Sequence, residues 1–160
     1  MSRAFVKDQE DSDPIADLAE RPISPHPNYV THRGLRLMDG EIAALRHTLA
    51  EAQRNEDRPA IARASRELRY WVERRTTAQV VEPRAGSGPV AFATRVTFER
   101  EDGRSSTYAI VGEDEAELKL GYMAYTAPLD RALLGKVVGD VADTPTGEVT
   151  ILRIEAVTEA

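Results

Sequence analysis

Between Thr31 and Ala78 the chain carries two apolar runs with the same period. Leu35, Met38, Ile42, Leu45, Leu49 and Ala52 follow one another at spacings of 3, 4, 3, 4 and 3 residues. Ile61, Ala64, Leu68, Trp71 and Arg75 repeat the alternation after a short polar stretch, "QRNEDRPA". Two apolar positions per heptad make a narrow seam, which only another helix can cover. Two such helices joined by so short a connection must fold back on each other. The spacing therefore predicts an antiparallel coiled-coil hairpin over residues 31–80, with Glu56 and Asp57 at its tip. Helices of about 20 residues make an arm roughly 30 Å long. Thr31 is placed to cap the first helix, and Asp57, followed by Arg58 and Pro59, to cap the second.

The flanking segments have other periods. Residues 1–30 are acidic and hold Pro14, Pro22, Pro25 and Pro27, a density that prevents regular helix. They read as a largely unstructured tail, with "RPISPHPNYV" lying against the folded part. "EPRAGSGP" at 82–89 has linker composition, so residues 81–88 are assigned to a linker. From residue 89 to 160 the period falls to two, with Val90, Phe92, Val96 and Phe98 alternating before an Asp-Gly turn in "EREDGRS". "APLDRALLG" reads as a short helix opened by Pro128 and closed by Gly135. "EVTILRIEAV" reads as a last strand, apolar on both faces and so without a settled register. The fold class expected is α+β: a helical hairpin followed by a small mixed domain.

Charge divides along the same boundaries. Residues 1–30 hold 3 basic and 6 acidic groups, residues 31–80 hold 10 and 7, and residues 81–160 hold 8 and 14. All ten cations of the middle segment are arginines. Arg63, Arg66 and Arg69 recur every third residue on the second helix. They form either a solvated face or a stripe that meets the phosphates of an RNA strand. The chain has no cysteine, which removes disulfides and thiolate metal sites, and no apolar run near the roughly 18 residues a membrane span needs. The N-terminus lacks an apolar secretory core, so a cytoplasmic location is expected. His26, His32 and His47 stand at no metal-ligand spacing, and the reading assigns the chain no metal or cofactor of its own. Tyr70 and Trp71 read as hairpin packing at a domain junction.

Several stretches resemble a known family. "TRVTFEREDGRSSTYAIVGEDEA" and "APLDRALLGKVVGDVADTPTGEVTILRIEAV" are similar to the C-terminal domain of the bacterial transcript-cleavage factors of the GreA/GreB family. "YVTHRGLRLMDGEIAALR" and "TAQVVEP" resemble the start and end of that family's N-terminal finger. The resemblance spans roughly residues 29–157. It implies an FKBP-like C-terminal domain that docks on RNA polymerase, and a coiled-coil finger that enters the polymerase's secondary channel towards nascent RNA. It implies docking through Thr126, Ala127, Pro128, Leu129 and Arg131; the stripe of Arg63, Arg66 and Arg69, read from its spacing, would then line the channel or meet the RNA. The protein would then be a monomeric regulator and no enzyme, at most lending carboxylates to the Mg²⁺ of the polymerase active site.

At the tip the resemblance breaks. The family's finger ends in a motif close to "GDLSENAEY", whose acids stand three residues apart and can converge on one Mg²⁺. Here the arm is shorter, and the acids are the adjacent Glu56 and Asp57. As catalytic residues they would have to converge within a loop; as structural residues, Asp57 caps a helix. Two other functions remain open at this point: a binding module serving some other protein, and a peptidyl-prolyl isomerase. The isomerase needs an aromatic-lined pocket, and after Pro89 the chain offers Phe92, Phe98, Tyr108, Tyr122 and Tyr125.

Overall fold

The structure is a computed structural model and describes residues 18–86 and 88–158. Most of the acidic tail, residues 1–17, lies outside the described residues. The chain opens with strand β1 (Tyr29–Val30), then helices α1 (His32–Arg54) and α2 (Arg58–Thr77) and strand β2 (Gln79–Val80). Strands β1 and β2 pair in parallel, Tyr29 opposite Gln79 and Val30 opposite Val80, and tie the two ends of the helical hairpin together. Thr31 caps α1 by accepting the Gly34 amide, and Asp57 caps α2 by accepting the Ala60 amide at 3.1 Å.

The heptad seam lies inside the hairpin but buries little. Met38, Ile42, Ala52 and Ala64 are its fully buried members, while Leu35, Leu45, Leu49, Ile61 and Leu68 are half-covered. Arg75, the polar end of the seam, reaches Asp39 on the facing helix at 2.7 Å. The described part of the lead-in expected to be unstructured, residues 18–30, is laid along α2. Ala19 meets Arg66, Glu20 meets Arg69, and Asn28 donates to the Arg74 carbonyl at 2.7 Å. The prolines forbid helix but not an extended strip, and the arginines of α2 give that strip partners.

The second half is a five-stranded sheet in the order β5-β4-β3-β7-β6, built from β3 (Thr94–Arg100), β4 (Ser105–Val111), β5 (Tyr122–Ala124), β6 (Val141–Thr144) and β7 (Gly147–Ala156). Only β4 and β5 run parallel. The turn from β3 to β4 holds Gly103 at φ +80°, the left-handed conformation that glycine adopts without steric cost. The short helix α3 (Pro128–Leu133) closes the core by placing Leu133 against Phe98, Ile110 and Met123.

One strand expectation is corrected, and one open register is settled. Val90 and Phe92 do not continue the alternation of β3, because Ala93 is fully buried at φ +61° and breaks the chain out of extended geometry. Val90 reaches the core instead by bonding with the loop after α3, through Lys136 and Gly135. In β7 a bulge settles the register: Thr97 pairs with Arg153 and Phe98 with Ile151, leaving Leu152 extra. Val149, Ile151 and Ile154 are thereby all buried on one face despite spacings of two and three.

Candidate functional site

The geometry of the arm starts at its root. After β4 a single 3-10 turn, Glu113–Glu115, presents three consecutive carboxylates, and each holds a different piece of the N-terminal half. Glu113 accepts from the Ser24 hydroxyl at 2.8 Å. Asp114 accepts from the Tyr70 hydroxyl and from Arg74 Nε at 2.5 Å. Glu115 is buried at the N-terminus of α1, accepting from the Thr31 amide at 2.9 Å and the Thr31 hydroxyl at 2.6 Å, with Arg33 3.6 Å away. An anion there satisfies the Thr31 amide and meets the positive end of the helix dipole. The approach is close enough that a Cβ on Gly34 would stand 2.2 Å from the Glu115 carboxylate, and one on Gly112 would stand 2.4 Å from the Tyr29 carbonyl.

The sequence showed these acids only as letters within a family-like motif. Their partners, Thr31, Tyr70 and Arg74, lie 40 to 84 positions away. Three adjacent carboxylates in an acidic half, facing an arginine-rich half, was the available signal. Burial and the bond to Asp114 push the Tyr70 hydroxyl up to about 12, so it remains a donor. Tyr70 thus stands at the domain junction; Trp71 packs edge-on against it.

At the far end of the arm, the tip is as tight as a helix reversal can be. The Glu56 amide bonds to the Gln53 carbonyl and the Asp57 amide to the Ala52 carbonyl, the paired bonds of a Schellman motif. Glu56 is its left-handed residue, at φ +53°, a position usually given to glycine. Asp57 is both the last residue of that motif and the cap of α2. One of its oxygens is therefore committed to the Ala60 amide, and both side chains are exposed. Among the described residues no cluster of three or more His, Asp or Glu could hold a metal ion. His32 bonds with Glu82 at 2.6 Å and His47 stands 3.9 Å from Glu51. Asp57→Asn should leave the melting temperature nearly unchanged, since Asn caps about as well, whereas Asp57→Ala should cost about 1 kcal/mol. A loss in Asp57→Asn as large as in Asp57→Ala would show that the charge, and not the cap, matters at this position.

The segment 126–131 lies at the start of α3. Pro128 and Arg131 are exposed, while Thr126, Ala127 and Leu129 are half-covered, Ala127 and Leu129 packing against the domain core. Downstream in the chain follow Leu134, Val137, Val138 and Val141, all exposed. On α2, Arg63 is exposed and makes no hydrogen bond or ion pair among the described residues. Arg66 and Arg69 instead face the lead-in. Four aromatic residues of the second half pack against other rings: Phe98 is in the core with Tyr108 stacked on it, and Phe92 and Tyr125 close a cluster with Tyr29 at 5.5–6.1 Å. The fifth, Tyr122, lies under the Arg33 guanidinium at 3.7 Å.

Comparison with known proteins gives the family. Residues 85–159 match the family model described as "Transcription elongation factor, GreA/GreB, C-term". The chain is 38% identical over 128 residues to the transcription elongation factor GreA of Alkalilimnicola ehrlichii, covering 71% of this chain and 81% of that protein. It is 33% identical over 140 residues to GreA of Cereibacter sphaeroides strain ATCC 17023, covering 74% and 93%. Among solved structures, the GreA factor homolog 1 protein of Thermus thermophilus matches over 80% of this chain and 98% of its own, at 20% identity and a TM-score of 0.39. A superposition that loose supports nothing further.

Proposed function

Because the chain belongs to the GreA/GreB family of transcription elongation factors, we propose that it binds RNA polymerase and regulates elongation by placing the α1–α2 arm in the enzyme's secondary channel. The C-terminal domain, read as FKBP-like, docks at the channel mouth, and the arm points its tip towards the catalytic centre and nascent RNA. The working location is cytoplasmic, and a single copy suffices. Among the described residues no helix is long and apolar enough to cross a membrane.

The observation that carries the docking half is the exposed run at and after α3. Pro128 and Arg131 stand out from the helix, and four exposed aliphatic residues follow within ten positions of Arg131. A patch of apolar side chains beside a cation is what an anchoring interface uses. Leu129 contributes through the core that holds α3 in place. Replacing Pro128 with Ala and Arg131 with Glu should weaken binding to core polymerase about tenfold, the loss of one strong interface contact, with the circular dichroism spectrum retained. Undiminished binding would remove α3 from the docking surface.

The tip geometry favours occupation of the channel over cleavage. Mg²⁺ belongs to the polymerase active site in this reading, and the factor brings none. With Asp57 committed to its cap and Glu56 on the neighbouring left-handed turn, the two acids do not present a converged pair of ligands. The same experiment extends to a backtracked complex: the wild-type chain should compete with a cleavage-stimulating relative and add little cleavage itself. An isomerase reading finds no support in aromatic residues that are packed against one another.

A further inference from the structure

The strongest unexplained feature is what covers the arginines of α2. Arg69 grips the Glu20 carboxylate with two nitrogens, Nη2 to Oε1 at 2.6 Å and Nε to Oε2 at 3.0 Å. Arg66 Nε donates to the Ala19 carbonyl at 2.6 Å. The next residue, Arg21, lays its guanidinium 3.7 Å above the Tyr70 ring and 5.5 Å from the Trp71 ring, and pairs with Glu67 at 2.9 Å. The forked grip of an arginine on two carboxylate oxygens is the one it uses on a phosphate. A planar group stacked on an aromatic ring is how a nucleic-acid base is held. Glu20 and Arg21 thus set an anion and a flat group side by side along α2, as the backbone and base of a single strand would be set.

We propose that Glu20 and Arg21 occupy in cis the strip of α2 on which single-stranded nucleic acid binds, so that the lead-in must be displaced before the strand can engage Arg66, Arg69 and the Tyr70–Trp71 rings. The inference rests on the reading that this face of the arm meets RNA. The contact is suited to displacement. Glu20 and Arg69 are both exposed, and exposed ion pairs hold weakly and weaken further with salt. Arg69's hydrogen bonds hold the Glu20 carboxyl below its ordinary range, which keeps the anion of this pair charged at neutral pH. The segment leading to it is also anionic: residues 1–20 carry six acids against two bases, which reinforces competition with a polyanion.

The test uses the full-length chain, a fluorescent single-stranded oligoribonucleotide of mixed sequence, and anisotropy at low and at physiological salt. A second readout is the emission of Trp71, the only tryptophan in the chain. Glu20→Ala with Arg21→Ala should tighten RNA binding about two- to fivefold, the range that losing a weak surface pair allows. Trp71 emission in the RNA-free variant should already be shifted towards that of the RNA-bound wild type. Adding Arg66→Gln and Arg69→Gln should abolish the gain. Unchanged affinity in the Glu20/Arg21 variant, with binding still lost in the arginine variant, would overturn the competition and leave the arginine face as an RNA surface. No binding by any variant at low salt would remove that surface and the inference with it. A gain that survives the arginine substitutions would make the tail a general repulsive charge. Tighter binding to core polymerase with RNA affinity unchanged would make the strip a protein contact. Each of these last two results also overturns the proposal.

Discussion

Asp114→Ala should be among the most damaging single substitutions in this protein, lowering stability by about 3–5 kcal/mol in urea unfolding at neutral pH. Arg74 is 1% exposed, and its guanidinium bonds with Asp114, which is itself nearly buried. Removing the carboxylate leaves a buried cation without its anion and deprives the Tyr70 hydroxyl of its acceptor. Removing both charges should hurt less. Arg74→Met with Asp114→Leu replaces two desolvated ions by apolar groups of similar length, so the double variant should lie well above Asp114→Ala in stability. The comparison separates the cost of an orphaned charge from the net contribution of the pair. A loss under about 1 kcal/mol in Asp114→Ala would mean that Arg74 finds solvent or another anion, and that the root of the arm is not locked by this bond.

The second large effect has the opposite sign. Asp130 is fully buried in α3, and neither carboxylate oxygen has a hydrogen-bond partner among the described residues. Burial pushes its carboxyl up from 3.8 to about 7. In the unfolded chain the group loses its proton near 3.8, whereas in the folded chain it keeps the proton until about 7. Between those values the folded state binds the extra proton, so this group makes stability fall as pH rises. Its penalty is absent below pH 4, grows across the interval and is complete above about 7. A difference of that size corresponds to about 4 kcal/mol at most. Asp130→Ala should therefore stabilise the protein at pH 8 by a few kcal/mol and barely at all at pH 4. The wild-type and variant curves need to be compared as a difference, so that every other titrating group cancels. A difference that does not change between pH 4 and pH 8 would show that Asp130 is ionised and partnered in the folded state.

Much of the arm is legible in the sequence alone. A two-per-heptad seam interrupted once by a polar stretch leaves few folds open, because an isolated helix with so narrow an apolar face has nothing else to cover it. Thr31 and Asp57 were legible as caps for an equally local reason: a short oxygen-bearing side chain before a helix satisfies an amide three residues on. The turn at Asp102-Gly103 and the stop at Gly135 are local in the same sense.

What tertiary structure decided lies wherever partners are distant in sequence or local patterns tie. The β7 register could not be read because Val149, Ile151, Leu152 and Ile154 are apolar without a single period. Only pairing with β3 shows that Leu152 is looped out. Val90 and Phe92 kept the strand rhythm by spacing alone, and the left-handed backbone at Ala93, set by bonds to Ile110 and Val157, took them out of it. Arg63, Arg66 and Arg69 looked equivalent at three-residue spacing, yet the last two are engaged by a lead-in some 47 to 49 positions away and the first is not. The sequence by itself determined that there is an arm, where it turns and how its helices are capped, because those are matters of helical period and of a residue's own neighbours. Which way the arm leaves the domain was decided by Glu113, Asp114 and Glu115 finding Ser24, Tyr70, Arg74 and Thr31. A carboxylate is indifferent to sequence distance and selects its partner only once folding has removed water from around both.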